Sequence, residues 1–258
     1  MIKYSALSSM RWIYLSPHLD DAVLSCGGWI WWQIQQGEIV EIWTVCAGDP
    51  PAGPLTPYAQ SLHKRWQTGP EAVAVRRQED QNACQRIGAL PRYFPIPDCI
   101  YRYHPERGTP IVNGDDDLFQ PSLPPSEHPW VDFLRVQLKA LLSESDILVC
   151  PLALGGHIDH HLTRTAAETL ALPRLWYYAD FPYALRDCHK ELRPTTTHRP
   201  LPLNLPPDAL DAWIEAITCY RSQLSTFWPD LPTLKREILH YYQNCKDQIL
   251  WMPSLPAR

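Results

Sequence analysis

Apolar residues fall into two kinds of run along this chain. Short, mainly apolar runs rich in β-branched and aromatic residues occupy positions 12–15, 39–46, 92–96, 146–150 and 175–178. Runs of four to eight such residues suit strands, and strands buried on both faces carry little polar alternation. Between them lie segments with helical periodicity at 21–36, 71–87, 129–143 and 160–172. In 129–143, Val131, Leu134, Leu138 and Leu141 share one face, and Gly37 and Gly88 stand where helices stop. Strand and helix alternate through residue 180, which predicts βαβ units and an α/β fold: a mostly parallel sheet covered by helices on both faces. Beyond it, 194–206 reads as extended and Pro-rich, 207–224 and 231–244 as helices, and 249–252 as a last strand. No repeat or clean linker divides the 258 residues, so one domain over 1–258 is expected.

Proline refines this picture. The chain has 27, clustered at 50–57, 105–129 and 194–207. Proline fixes φ and removes a backbone donor, so 47–70 and 100–125 are predicted as loops, with the run Asp115-Asp116-Asp117 a solvated part of the second. Placed near the sheet edge, they would shape the mouth of a cleft. The eleven tryptophans suit core filling, and they could also line a sugar site or an interface between copies.

Composition removes several functions. The formal net charge is −5 and the Lys and Arg are scattered, which argues against nucleic acid as a partner. No apolar run reaches the roughly 18 residues of a membrane span. The eight cysteines form no C-x-x-C pair and most lie in apolar runs. Buried free thiols in a reducing compartment, the cytoplasm, are expected rather than a zinc ribbon or a disulfide framework.

In such sheets, ligands bind outside the carboxyl ends of the strands. Ionisable residues collect there twice. His18, Asp20 and Asp21 follow the first strand. Two buried carboxylates side by side repel unless a cation sits between them, and imidazole with carboxylate is a zinc donor set. Helix capping by the aspartates is the competing explanation. Gly155-Gly156-His157-Ile158-Asp159-His160-His161 follows the fourth strand and holds three histidines and an aspartate within five positions. Two histidines and a carboxylate leave an open position on zinc, the pattern of a catalytic site; iron takes the same donors.

His18-Leu19-Asp20-Asp21 followed by Gly27-Gly28 resembles the H-P-D-D-E…GG signature of the LmbE-like, or PIG-L, zinc deacetylases. His157-Ile158-Asp159-His160 looks like that family's H-x-D-H motif. Arg76-Arg77-Gln78-Glu79 with Ala83 and Ile87-Gly88, then Pro97-Asp98, then Tyr220-Arg221-Ser222-Gln223, resemble further family pieces in the same order. The resemblance spans roughly residues 12–224. It implies a Rossmann-like three-layer sandwich and zinc-dependent removal of an acyl group from an amide nitrogen, often of an N-acetylglucosamine-type sugar. By motif position it makes His18, Asp21 and His160 the Zn2+ ligands, Asp20 the general base and His157 the oxyanion stabiliser in its protonated form. Asp159 would orient a histidine, and Arg76, Asp98 and Asp49 would touch substrate.

Three departures stand out. Leu19 replaces the usual proline, Ala22 replaces an acidic residue and is expected to loosen the first turn, and Gly155 stands where some members carry a tyrosine. Other functions stay open on the sequence. One is a non-catalytic zinc- or sugar-binding relative; another is a metal hydrolase of esters or non-sugar amides. A third is a thiol hydrolase using Cys26, near a helix start, with His157 as its base.

Overall fold

Strand β1 (Arg11–Ser16) is buried at every position but its first, as a strand in the middle of a sheet must be. The computed structural model describes residues 10–187, 194 and 197–254. Beside β1 lie β2 (Ile39–Thr44), β3 (Leu90–Tyr93), β4 (Ile147–Pro151), β5 (Leu175–Tyr178), β6 (His198–Leu201) and β7 (Leu250–Pro253), in the spatial order β3-β2-β1-β4-β5-β7-β6. The first five are parallel, with Trp12 opposite both Val40 and Ile147. Strand β7 runs antiparallel to both of its neighbours. The chain therefore builds outward from β1 to β3 and then returns to place β4 on the other side of β1. That reversal opens a crevice at the carboxyl ends of β1 and β4.

The helices are α1 (Asp21–Gln35), α2 (Pro57–Trp66), α3 (Ala72–Ile87), α4 (His128–Leu141), α5 (Ile158–Glu168), α6 (Tyr183–Asp187), α7 (Pro207–Ile217), α8 (Arg221–Phe227) and α9 (Leu231–Cys245). Helices α1, α3 and α7 pack on one another, and α4 packs on α5. The Gly27-Gly28 pair explains how closely α1 and α7 meet. A Cβ on Gly27 would sit 2.6 Å from Cδ1 of Trp213, whose indole N–H donates to the Val23 carbonyl at 2.6 Å. Trp43, Trp213 and Trp251 are among the largest fully buried side chains, so core filling accounts for them. None of the described helices is long and apolar enough to cross a membrane.

Four boundaries differ from the sequence reading. The expected loop 47–70 contains α2, because Pro57 stands at a first helical position, where its missing N–H costs nothing, and Thr56 Oγ1 caps the helix by accepting Ala59 N–H at 3.0 Å. Its Ala59, Leu62, His63 and Trp66 are buried on one face. Strand β3 ends at Tyr93 rather than 96. The expected helix 207–224 breaks between Ile217 and Arg221, where the Tyr220 hydroxyl is drawn onto Asp80 Oδ1 at 2.8 Å. Part of 194–206 is β6, whose Pro200 is tolerated on an edge strand.

Candidate active site

The chain leaves β1 through Ser16-Pro17-His18-Leu19-Asp20-Asp21, and hydrogen bonds close this turn on itself. Ser16 Oγ donates to the His18 carbonyl at 2.6 Å and accepts Ala22 N–H at 3.0 Å. Asp21 Oδ2 accepts His18 N–H at 2.7 Å. The expected loosening at Ala22 is absent: Ala22 is packed in the core, and Ser16 ties the turn that an acidic side chain was expected to hold. Nor do the aspartates cap α1. Asp20 occupies the capping position without a side-chain hydrogen bond to the helix. Both carboxylates are instead available to the cleft.

Leaving β4, the chain reaches His157, which caps α5 by accepting Asp159 N–H on Nδ1 at 3.2 Å. The start of α5 brings Asp159 and His160 against the first turn. His18 then lies between two carboxylates: Nδ1 is 3.1 Å from Asp21 Oδ2 and Nε2 is 3.0 Å from Asp159 Oδ2. His160 repeats the arrangement, with Nδ1 2.6 Å from Asp180 Oδ1 and Nε2 3.4 Å from Asp21 Oδ2. His18, His157 and His160 hold ring nitrogens within 4.8 Å of one another. Two imidazoles thus turn a nitrogen toward the same oxygen of Asp21, and each has its other nitrogen engaged. That is the donor chemistry of a metal centre with oriented ligands.

The electrostatics match. Burial pulls the His18 and His160 pKa values down, but Asp21 and its neighbours outweigh it. His18 is left well above its ordinary value and His160 is lifted to about 9. Burial opposes the ionisation of Asp21, yet His160 and His18 hold it well below the carboxylate range. The pocket demands positive charge. Burial, with Asp21 beside it, lifts Asp20 to about 6, while Arg76 at 3.5 Å works against the shift. Burial and His18 press His157 well below its usual value, which favours the neutral imidazole. With Nδ1 accepting from the backbone, its proton sits on Nε2. Burial and the adjacent His18 and His160 rings oppose the protonated form expected for His157.

Of the expected substrate contacts, Arg76 and Asp98 face this cleft and Asp49 does not. Arg76 lies over the Trp66 ring at 4.8 Å and reaches Asp20 and Asp98. Asp49 is largely exposed and paired with Arg77 at 2.7 Å, which holds it outside the residues that line the cleft. Cys26 is buried in the core, and burial pushes its thiol well up, which removes the basis for a thiolate nucleophile. The late motif has a clear role: Glu79 accepts both the N–H of Ser222 (2.9 Å) and its hydroxyl (2.6 Å), fixing α8 so that Gln223 lines the cleft.

Sequence reasoning missed three buried partners. Asp180 follows β5, so the strand-end rule applied once more would have found it. Arg102 and Glu127 come from the Pro-rich stretch, which carried no signal of burial. The Arg102 guanidinium pairs with Asp159 on one side and Glu127 on the other. Both loops do form the mouth, through Tyr58 and Arg65 from one and Asp115 and Phe119 from the other; Asp115 is exposed and accepts the Tyr58 hydroxyl at 2.6 Å.

Two curated relatives are 2'-N-acetylparomamine deacetylases. That of Niallia circulans is 29% identical over 191 residues, covering 66% of this chain and 66% of its own length. That of Streptomyces fradiae is 27% identical, covering 67% of this chain and 58% of its own length. The chain thus spans about two thirds or less of these relatives. Among solved structures, the zinc-inhibited form of teicoplanin deacetylase Orf2 superposes with a TM-score of 0.79 at 27% identity, covering 95% of this chain and 97% of that one. The A40926 pseudoaglycone deacetylase Dbv21 gives 0.70 at 26% identity, covering 95% and 96%. Residues 13–171 match the family described as PIG-L, GlcNAc-PI de-N-acetylase. Since that match runs from β1 past the helix bearing His160, the chain belongs to the PIG-L family.

Proposed function

We propose that this protein is a zinc-dependent hydrolase that removes an acyl group, acetyl in the simplest case, from an amide nitrogen of an N-acetylglucosamine-type sugar or glycoconjugate. The carrying observation is the convergence of His18 and His160 on Asp21 Oδ2, with Asp159 and Asp180 behind the histidines and Asp20 beside them. The residues fit the metal. Two imidazoles and one carboxylate are a common catalytic zinc set, and the buried carboxylates supply the charge that a divalent cation balances. His18, Asp21 and His160 would hold it. When bound, such a cation polarises a carbonyl and lowers the pKa of water toward about 7.

The chain's own residues carry the remaining work. Asp20, its carboxyl near 6, is suited to take a proton from the attacking water at neutral pH. Water oxygen bonds to the acyl carbon while the carbonyl π pair moves onto oxygen. The Nε2–H of neutral His157 donates a hydrogen bond to that oxygen. The C–N bond then breaks, Asp20 returns its proton to the leaving nitrogen, and a carboxylic acid and an amine result. Arg76 holds Asp20 on the cleft side. The cleft encloses about 540 Å³, the size of a small-molecule site. Its aromatic walls, Tyr58, Trp66 and Phe119, beside the ionic Asp98 and Asp115, suit a ligand with both C–H faces and hydroxyls. The free cysteines of the described residues accord with a cytoplasmic setting.

The test is turnover of N-acetylglucosamine and 2'-N-acetylparomamine, with free amine measured, alongside bound zinc. We expect wild type to deacetylate at least one of them and to bind about one zinc. Asp20→Asn should keep the metal and lose activity by about 10²-fold or more, the usual range for a general base being about 10²–10⁴. His160→Ala should lose both. Undiminished turnover by Asp20→Asn, or no zinc in wild type after supply, would overturn the reading.

A further inference from the structure

Gly155 has φ of +81°, and the space above its Cα is taken. A Cβ built there would lie 2.5 Å from Cδ1 and 2.7 Å from Cγ of Tyr183. The Tyr183 ring therefore rests on this glycine, and any larger residue at 155 would displace it. From α6 the ring lines the cleft, nearly perpendicular to the His160 ring (6.1 Å between centroids) and steeply inclined to the Phe119 ring (6.0 Å). It is half-buried and lines the same cleft as His18, Asp20, Asp21 and His157. Its hydroxyl has no hydrogen-bond partner among the described residues, whereas the buried Tyr14, Tyr178, Tyr220 and Tyr241 hydroxyls are all engaged. A phenol facing a reaction cleft with its donor unspent is poised for a ligand.

We infer that Tyr183 is a further catalytic residue, whose hydroxyl donates a hydrogen bond to the acyl oxygen of the substrate as negative charge builds there. This rests on the deacylation proposed above. The proton stays on Tyr183 throughout: its O–H bond is polarised, not broken, and the balance of the reaction is unchanged. Burial and the nearby Asp21 and Asp180 raise the pKa of the phenol, so it remains a donor across the working pH range. Tyr183 belongs to none of the motifs read from the sequence, whereas Gly155 opens the second His/Asp cluster. The pairing is legible only in space.

The experiment compares wild type, Tyr183→Phe, Gly155→Ala and the double variant on whichever of N-acetylglucosamine and 2'-N-acetylparomamine wild type turns over. Tyr183→Phe keeps the ring on Gly155 and deletes one oxygen. It should lower kcat by about 10²-fold, the lower end of the range for one oxyanion donor, with KM within about twofold, and with zinc content and Tm unchanged. Gly155→Ala should move the ring and lower kcat by about tenfold or more. In the Tyr183→Phe background it should cost less than about threefold further, because the hydroxyl it misplaces is already gone. A Tyr183→Phe enzyme with kcat within twofold of wild type overturns the inference, as does a rise in KM alone. Additive losses in the double variant also overturn it. A wild type inert toward both substrates while loaded with zinc fails the deacylase reading first, and this inference falls with it.

Discussion

Replacing Arg102 by methionine tests the least expected part of the site. The guanidinium is 4% exposed, and its Nη2 serves two carboxylates at once, those of Asp159 and Glu127, both 0% exposed. Its Nη1 donates to the Pro97 carbonyl at 2.8 Å. Methionine keeps most of the stem volume and removes every donor. Breaking a buried pair by deleting one partner costs about 3–5 kcal/mol, because the remaining charge stays buried without compensation. The two carboxylates do not share the loss equally. Burial opposes the ionisation of Asp159, yet Arg102 and His18 hold it well below its ordinary range, whereas burial lifts Glu127 despite Arg102. Glu127 can therefore take up a proton at modest cost, and most of the loss falls on Asp159. At about 2–4 °C per kcal/mol for a chain of this size, a loss of about 4 kcal/mol lowers Tm by about 8–16 °C. Thermal melting at neutral pH reads this directly. Glu127→Gln alone should shift Tm by only a few degrees. An Arg102→Met melt within about 2 °C of wild type would refute the argument, because it would mean that the guanidinium does not hold Asp159 ionised.

Three other outcomes follow from named contacts. Asp180→Asn removes the carboxylate 2.6 Å from His160 Nδ1 and should weaken zinc about 10–100-fold in a chelator competition; unchanged affinity would show that Asp180 does not orient the ligand. Gly27→Ala puts a methyl 2.6 Å from Trp213 Cδ1 and should cost about 1–3 kcal/mol in urea unfolding, an unaltered midpoint being the contrary result. Asp80, lifted by burial to about 6, has a folded pKa above its unfolded one, so the stability it contributes is full below about pH 4 and is lost as pH rises through 6. Asp80→Asn should therefore gain on wild type by about 3 kcal/mol between pH 4 and pH 7, at 1.36 kcal/mol per pKa unit, and parallel pH profiles for the two proteins would contradict it.

What the sequence disclosed was local. Strand and helix periods located β1, β2, β4 and β5, because strands buried on both faces leave uninterrupted apolar runs. The two His/Asp clusters were visible because ionisable residues at strand ends have few other reasons to crowd together. Helix α2 was hidden by proline, the residue that also starts it at Pro57. The break at Tyr220 was hidden because its cause, Asp80, lies 140 positions away. Asp49 was misplaced for a similar reason: its neighbour Arg77 claims it across 28 positions. Arg102, Glu127 and Tyr183 share this limit, since each acts through a contact that only the folded chain creates.

Those long-range contacts change how the mouth loop is understood. Read along the chain, 100–125 is a rim that would tune substrate choice and leave the chemistry alone. In space its first residues and the turn before α4 hold Asp159 from behind, through Arg102 and Glu127. Asp159 Oδ2 in turn accepts the Cys99 N–H and faces His18 Nε2, both at 3.0 Å. The other end of the loop lies against His157, with Phe119 at 5.7 Å between ring centroids and Gln120 N–H on the Gly156 carbonyl at 2.7 Å. The segment that lines the cleft mouth is thus the same segment that packs on His157 and, through Asp159, reaches His18. A change made there to alter selectivity is transmitted to the reacting groups, unless it is confined to exposed positions such as Asp115, whose partners, Tyr58 and Arg65, belong to α2 and not to the histidine cluster.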